Sequence, residues 1–281
     1  MSSSPSTATA RTWFITGVSS GIGRATAQAA LARGDRVIGT LRQPEQCAAF
    51  EALAPGRAHA VLLDVSDTTR VTPVVDAAFA HHGRIDVIVN NAGFALLGSL
   101  EETTPEEARR LFDTNFFGLL AVTRAALPHL RRQGAGHIVN ISSTVGLCGP
   151  AGTPLYAASK FAVEGLSESL QGEVAGLGIK VTLIEPGAVN SGFSGNAVEV
   201  RKRLPEVYPM MSGGITREGL VQFIGATGSD ESHATTAILA AVDAPQAPLR
   251  VLAGIEAVQA ARAKIEQLTQ ALAEAGPRFG F

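Results

Sequence analysis

The chain is predicted to be α/β, a doubly wound and mainly parallel sheet of about seven strands with helices on both faces. Three observations predict this. Short runs rich in β-branched and aromatic residues alternate with amphipathic helical stretches along the whole chain. A glycine-rich turn joins the first apolar run to the first helical one. No internal repeat or linker divides the chain, so 11–281 reads as a single domain and 1–10 as a disordered tail of Ser, Thr and Ala.

The opening strand is expected at 12–16, where Trp13, Phe14 and Ile15 stand together, and it runs into Gly17-Val18-Ser19-Ser20-Gly21-Ile22-Gly23 and a helix over 24–33. Glycines at a strand-to-helix turn permit a tight bend and leave the helix N-terminus, with its free N–H groups, open to a phosphate. Further strands are expected at 36–41, 58–64, 86–90, 137–142, 180–185 and 249–252. Between them, Thr104-Pro105-Glu106-Glu107 carries the cap residue, first-turn proline and glutamate of a capping box. It opens a helix expected through about residue 130. Another helix is expected over 156–177. From 192 to 229 the pattern loses its period among Arg201-Lys202-Arg203, Pro205 and Tyr208-Pro209-Met210-Met211, which fits a substrate lid.

Composition narrows the partners. A net charge of −2 and pI near 6.3 leave no basic footprint for nucleic acid or an anionic membrane. No apolar run is long enough to span a bilayer, and the N-terminal stretch has no signal-peptide core. Cys47 and Cys148 are far apart and read as free thiols of a reducing compartment, hence a cytoplasmic protein. His81 and His82 precede Gly83 at an expected helix C-terminus, where cations suit the dipole, and no metal set surrounds them in sequence.

Tyr156 and Lys160 stand four residues apart on an expected helix, with Ser143 shortly upstream at a strand end. Residues at that spacing share a helix face, so an ammonium can lie beside a phenol and favour its ionised form. The pair suits proton transfer. On exposed helices the same spacing is often only a solvated face.

Thr16-Gly17-x-x-x-Gly21-x-Gly23, Asp64-Val65, Asn90-Asn91-Ala92-Gly93, Asn115, Ser143, Tyr156-x-x-x-Lys160 and Pro186-Gly187 occur in this order, and together they resemble the classical short-chain dehydrogenase/reductases. The resemblance implies a Rossmann-like fold and an NAD(P)-dependent oxidoreductase that interconverts a secondary alcohol and a ketone or aldehyde. It implies that Tyr156 is the general acid or base and that Ser143 polarises the substrate oxygen. Lys160 would lower the Tyr156 pKa and, with Tyr156 beside it, bind the nicotinamide ribose. Asn115 would hold a backbone kink and a water leading from Lys160 to solvent; taken alone it reads as a helix-kink or surface asparagine. Ser142, the neighbouring rival to Ser143, reads as packing or capping.

The same resemblance assigns cofactor contacts to Gly17, Ser19, Ser20, Gly21, Ile22 and Gly23, to Asp64 and Val65, to Asn91, Ala92 and Gly93, and to Pro186, Gly187 and Ser191. Asp64 would meet the adenine amino group, against the alternative of a local turn former. Ser191 stands where the family usually has threonine. At the end of the second strand, where an acid would grip the ribose of NAD, the chain has Leu41 followed by Arg42, with Arg24 near the glycine turn. The missing acid and the nearby cations predict NADP over NAD. Phe94, Val145, Leu147 and Phe193 suggest an apolar substrate wall, favouring a bulky hydrophobic carbonyl over a polyol, though each could be core; Cys148 could line the same pocket or simply pack. A homodimer or homotetramer is implied, packed through helices near 106–130 and 156–177. Two other readings keep the scaffold: a non-catalytic nucleotide sensor, and an isomerase or dehydratase that uses the nicotinamide transiently.

Overall fold

The computed structural model describes residues 10–187, 198–199, 207 and 231–279. In chain order the strands are β1 (Thr12–Ile15), β2 (Arg36–Leu41), β3 (Ala58–Leu62), β4 (Val87–Asn90), β5 (Leu96–Leu97), β6 (Gly136–Ile141), β7 (Ile179–Pro186), β8 (Val198–Glu199) and β9 (Arg250–Ala253). Seven of them form one sheet in the order β3-β2-β1-β4-β6-β7-β9, every neighbouring pair parallel. All seven sequence-predicted strands are present, with ends shifted by at most two residues. The two-residue pair β5–β8 is an addition, too short to leave a periodic signal.

Parallel strands need crossovers, and helices supply them. They are α1 (Gly21–Ala32), α2 (Cys47–Glu51), α3 (Thr68–His82), α4 (Pro105–Phe112), α5 (Leu119–Gln133), α6 (Pro154–Val174), α7 (Glu231–Asp243) and α8 (Ile255–Phe279). Alternation along β1 feeds both layers. Trp13 and Ile15 pack with Val37, Val87 and Val89 under Ala30 and Leu31 of α1 and Ile238 of α7. Phe14 packs on the other face with Ile38, Ile88 and Ile138 against Val75 and Phe79 of α3, Val122 and Leu130 of α5, and Val174 of α6. Trp13 and Phe14 are wholly buried, so truncating either to alanine should cost about 3–5 kcal/mol. The Trp13 indole N–H also donates to Asp35 (2.9 Å), fixing the ring at the base of the sheet.

The helix expected from 106 is interrupted. The capping box at Thr104 and Glu107 is formed, but between α4 and α5 the segment Asp113–Gly118 is a π-helix. One extra residue per turn is invisible to a 3.6-residue pattern. The insertion turns Asn115 inward, and a Cβ on Gly118 would stand 2.8 Å from Val65 Cγ2. The long C-terminal helix α8 was not anticipated either, and from Ile265 to Glu274 every residue on it is exposed.

The chain runs β1, β2, β3 outward in one direction and then crosses back to β4 on the other side of β1. The crevice at the carboxyl ends of β1 and β4 is therefore the topological switch point, where ligands bind in open α/β sheets. Among the described residues no helix is long and apolar enough to cross a membrane.

Candidate active site

The glycine turn lies over that switch point, and hydroxyls from neighbouring strands hold it. Thr40 Oγ1 accepts from Gly17 N–H (3.0 Å), and Thr16 Oγ1 accepts from the backbone N–H of Asn91 (2.9 Å) and Ala92 (3.0 Å). Asn91 Nδ2 donates to the carbonyls of Thr16 and Gly17 at 2.9 and 3.0 Å. Gly17 and Gly21 adopt φ of +73° and +58°, which side chains other than glycine resist. A Cβ on Gly23 would lie 2.4 Å from both Asn91 Nδ2 and Gly17 O. Ser20 caps α1 in an extended conformation without a side-chain cap bond, and no acid stands in the first turn. Ser19 and Ser20 are exposed while Ile22 rests on the core. A helix N-terminus with uncommitted donors, no competing carboxylate and glycines where a Cβ would clash fits a pyrophosphate.

The second half of the crevice is made by β6 and α6. Lys160 is buried and donates from Nζ to the carbonyl of Ile141 at the end of β6 (2.8 Å). Its Nζ lies 5.9 Å from the centroid of the Tyr156 ring. Tyr156 is hydrogen-bonded to Ser143, and burial pushes its phenol up to about 12, the serine opposing that shift. Burial likewise pulls Lys160 down to about 8, with the negative charge of Glu164 acting the other way. The phenol thus stands above its ordinary value with the Lys160 ammonium beside it, and burial is the larger cause. Ser143 caps the short turn Thr144–Gly146, its Oγ accepting from Val145 N–H (3.3 Å).

Asn115 spends its amide on the backbone. Its Oδ1 accepts from Phe94 N–H (3.0 Å), and its Nδ2 donates to Phe94 O (2.9 Å) and Ser159 Oγ (3.2 Å). Ser159 in turn donates to Tyr156 O (2.7 Å), so one chain of bonds joins the segment after β4 to the tyrosine's own helix turn. Asn115 itself lies within the π-segment.

Other anticipated contacts divide. Asp64 is exposed and its Oδ1 accepts from the N–H and hydroxyl of Ser66 (3.0 and 2.7 Å), the turn-forming alternative. Val65 is buried against Gly118. Gly93 is required by Asn115, whose Oδ1 would lie 3.1 Å from an added Cβ. Pro186 ends β7, and Gly187 is closed by α8, since a Cβ there would meet Glu256 Cβ at 2.9 Å. Phe94 and Val145 pack half-buried against Leu96, Leu97, Leu111 and Tyr156, with the Arg110 guanidinium 5.2 Å from the Phe94 ring. Leu147 is half-buried beside them in sequence, and Cys148 Sγ donates to Thr144 O (3.3 Å). Ser191, Phe193 and the segment expected as a lid lie outside the described residues, apart from 198–199 and 207.

At the end of β2, Leu41 is buried and Arg42 exposed. The Arg24 guanidinium stands 5.7 Å over the Phe50 ring, and the edge of that ring covers Gly39, where a Cβ would be 2.6 Å from Phe50 Cζ. Arg24 and Arg42 therefore lie near the end of β2, and neither Leu41 nor Arg42 supplies an acid there.

The model of the short chain dehydrogenase family matches residues 11–202. The chain belongs to the classical short-chain dehydrogenase/reductases. It is 37% identical over 258 residues to Oxidoreductase BOA17 of Botryotinia fuckeliana, covering 92% of this chain and 93% of that one. A crystal structure of a short-chain dehydrogenase from Streptomyces avermitilis is 40% identical, with a TM-score of 0.86 over 96% of this chain and 97% of that one. A Burkholderia phymatum short chain dehydrogenase/reductase in complex with NAD is 25% identical (TM-score 0.80; 93% and 95% covered). One from Sphingobium yanoikuyae in complex with NADPH is 26% identical (TM-score 0.72; 94% and 95% covered).

In this short-chain dehydrogenase/reductase several residues around the site escaped sequence reasoning. Thr40 and Ser159 act as hydroxyl clamps, a role that no spacing marks, and Thr16, which heads the glycine motif, joins them. The buried Glu164 and Glu185 share the half-buried Arg250, and Glu164 acts on Lys160. A signal for the first of these existed: Glu164 follows Lys160 at the same four-residue step by which Lys160 follows Tyr156.

Proposed function

We propose that this oxidoreductase interconverts a carbonyl compound and its alcohol with NADP(H), Tyr156 holding the proton that the substrate oxygen gains. The observation that carries the reading is the Tyr156 phenol, buried beside Lys160, hydrogen-bonded to Ser143 and therefore a protonated donor at neutral pH. When bound in the crevice, the nicotinamide would supply or accept the hydride. Ser143 holds the carbonyl oxygen, and the Tyr156 O–H breaks as its proton passes to the developing alkoxide. Oxidation returns that proton to the phenolate. Lys160, mostly ammonium at pH 7 with a pKa near 8, favours the phenolate as it forms. Phe94, Val145 and Leu147 supply an apolar wall that excludes water from this proton transfer and suits a bulky hydrophobic substrate.

NADP(H) is preferred in this reading because Leu41 leaves the end of β2 without a carboxylate while Arg42 and Arg24 flank it. The helix faces expected to pair in an oligomer carry exposed Phe117 and Phe161, and Gly165 and Gly172 of α6 face open space. We propose a two-fold assembly through them, in the cytoplasm. The reaction is tested by a panel of ketones, aldehydes and secondary alcohols, following nicotinamide absorbance with each cofactor. Net cofactor turnover with apolar carbonyls is expected. Product formed without net cofactor change would replace this reading with an isomerase or dehydratase.

A further inference from the structure

One turn beyond Lys160, α6 buries a carboxylate. Glu164 is 5% exposed and Glu185, near the end of β7, is 0% exposed. A single guanidinium, Arg250 at the start of β9, serves both: it donates from Nη1 to Glu164 Oε2 and to Glu185 Oε1 (2.6 Å), and from Nη2 to Glu168, which is exposed. Two buried carboxylates on one cation are costly unless something else uses the charge. Glu164 Oε1, Glu185 Oε2 and Ser142 Oγ have no full hydrogen bond. Ser142 nonetheless lies close enough to the Glu164 carboxyl to favour its ionised form.

What lies over this group is the turn that bears Ser143. A Cβ on Gly146 would stand 2.7 Å from Ser142 Oγ and 3.1 Å from Glu164 Cγ and Oε1, so the turn closes directly onto the glutamate. On its other side Glu164 is the charge that favours the Lys160 ammonium. We propose that Glu164 is a positioning residue for the reaction proposed above: its carboxylate seats the Ser142–Gly146 turn and supplies the negative charge behind Lys160. It reaches the substrate through Ser143, Lys160 and Tyr156. The inference rests on the carbonyl–alcohol reading.

The ionisable groups around Glu164 fix the sign of the test. α6 contributes Tyr156, Lys160 and Glu168, β7 contributes Glu185, and β9 contributes Arg250. α8 brings Glu256 against Gly187 and Lys264 near Cys148. Burial and Glu185 push Glu164 up to about 7, with Ser142 and Arg250 opposing. Above neutral pH Glu164 is therefore anionic and supports the Lys160 ammonium, which is lost near pH 8. Removing the charge should make Lys160 lose its proton earlier.

The experiment is the pH profile of kcat/KM for carbonyl reduction, from pH 5 to 10 (about 0.5-unit steps), in the parent, Glu164→Gln, Glu164→Asp and Glu185→Gln. Glu164→Gln leaves Arg250 paired with Glu185 and should fold. Its alkaline limb should move down by roughly half to one pH unit, with kcat reduced several-fold or about tenfold and KM for the cofactor little changed. Glu164→Asp should return the limb toward the parent's. Glu185→Gln, which leaves Glu164 the only buried carboxylate on Arg250, should hold the limb or raise it. A Glu164→Gln enzyme with the parent's profile and kcat overturns the proposal, as does a profile that Glu185→Gln lowers equally. Melting temperatures against pH separate this from failure of the reaction reading. A carboxyl raised in the folded state binds protons there first, so the parent should lose stability relative to Glu164→Gln as pH rises from about 4.5 to about 7. That difference appearing in a parent that turns over no carbonyl or alcohol overturns the reaction and leaves the buried charge standing. Its absence overturns the buried charge itself.

Discussion

Replacing Asn115 tests whether its side chain works as a structural clasp. Asn115→Ala removes three hydrogen bonds: two to the backbone N–H and C=O of Phe94 and one to Ser159 Oγ. The side chain is 1% exposed, so water cannot simply replace it. Each neutral bond is worth about 1 kcal/mol net, and a donor or acceptor left unpaired costs about 1–3 kcal/mol, so a loss of about 3–5 kcal/mol is expected. At about 2–3 °C per kcal/mol for a chain of this size, the melting temperature should fall by roughly 6–15 °C. Asn115→Asp keeps the acceptor for Phe94 N–H but sets a carboxylate against Phe94 O, and should fall at least as far. Because Phe94 follows Gly93 in the segment that braces the glycine turn through Asn91, NADPH should also bind more weakly in both variants. Differential scanning fluorimetry with and without NADPH measures both effects. A melting temperature within about 2 °C of the parent's, together with an altered pH profile, would refute the clasp and leave Asn115 acting only through water near Lys160.

Tyr156→Phe should cut turnover by roughly a hundredfold or more while leaving cofactor binding near the parent's, which stopped-flow turnover and a fluorescence titration with NADPH would check. Leu41→Asp with Arg42→Ala should move the kcat/KM ratio from NADPH toward NADH by setting a carboxylate where the 2′-phosphate is expected; a parent that already favours NADH, or an unmoved ratio, defeats the assignment. Light scattering should show a dimer or tetramer at micromolar concentration, and Gly165→Arg on the open face of α6 should yield a folded smaller species. Burial holds His137 neutral, with a pKa near 4 against 6.5 when unfolded. The unfolded chain therefore binds the proton first, and stability is complete above pH 6.5 and lost as pH falls toward 4. The loss amounts to about 3 kcal/mol at about 1.4 kcal/mol per pH unit. His137→Gln, which keeps a donor for Thr182, should flatten that acid limb in pH-dependent melting.

The sheet was legible because its strands are buried on both faces. A strand covered by helices on either side must be apolar along its length, and Trp13-Phe14-Ile15 or Val87-Ile88-Val89 could be little else. Their order could also be read, since parallel pairing demands a helix between strands. What resisted reading was geometry that leaves no composition behind. The π-segment at Asp113–Gly118 uses residues that would sit equally well in an α-helix, and Gly118 at its end packs on Val65, a contact distant in sequence. The helix α8 is rich in good helix formers, yet its exposed half has no burial partner among the described residues.

At the site, spacing located the groups but not their burial. Four residues along a helix bring Tyr156 and Lys160 to one face, and the structure has them there. Distance alone then suggests an ammonium that acidifies a phenol. That argument holds when both groups remain in water, because only their mutual charge differs from the reference state. Here both are buried, each pays for its own ionisation, and the phenol rises to about 12 while the ammonium falls to about 8. Burial cannot be read from a four-residue step, but the step can be followed further. Tyr156, Lys160, Glu164 and Glu168 form one ladder, beginning in the buried crevice and ending at an exposed carboxylate. An ammonium desolvated on such a ladder needs a counter-charge that is itself held, and Arg250, which also pairs with Glu185, holds it. The sequence therefore carried the position of Glu164. Only the packing of β7 and β9 against α6 reveals why a carboxylate is tolerated there.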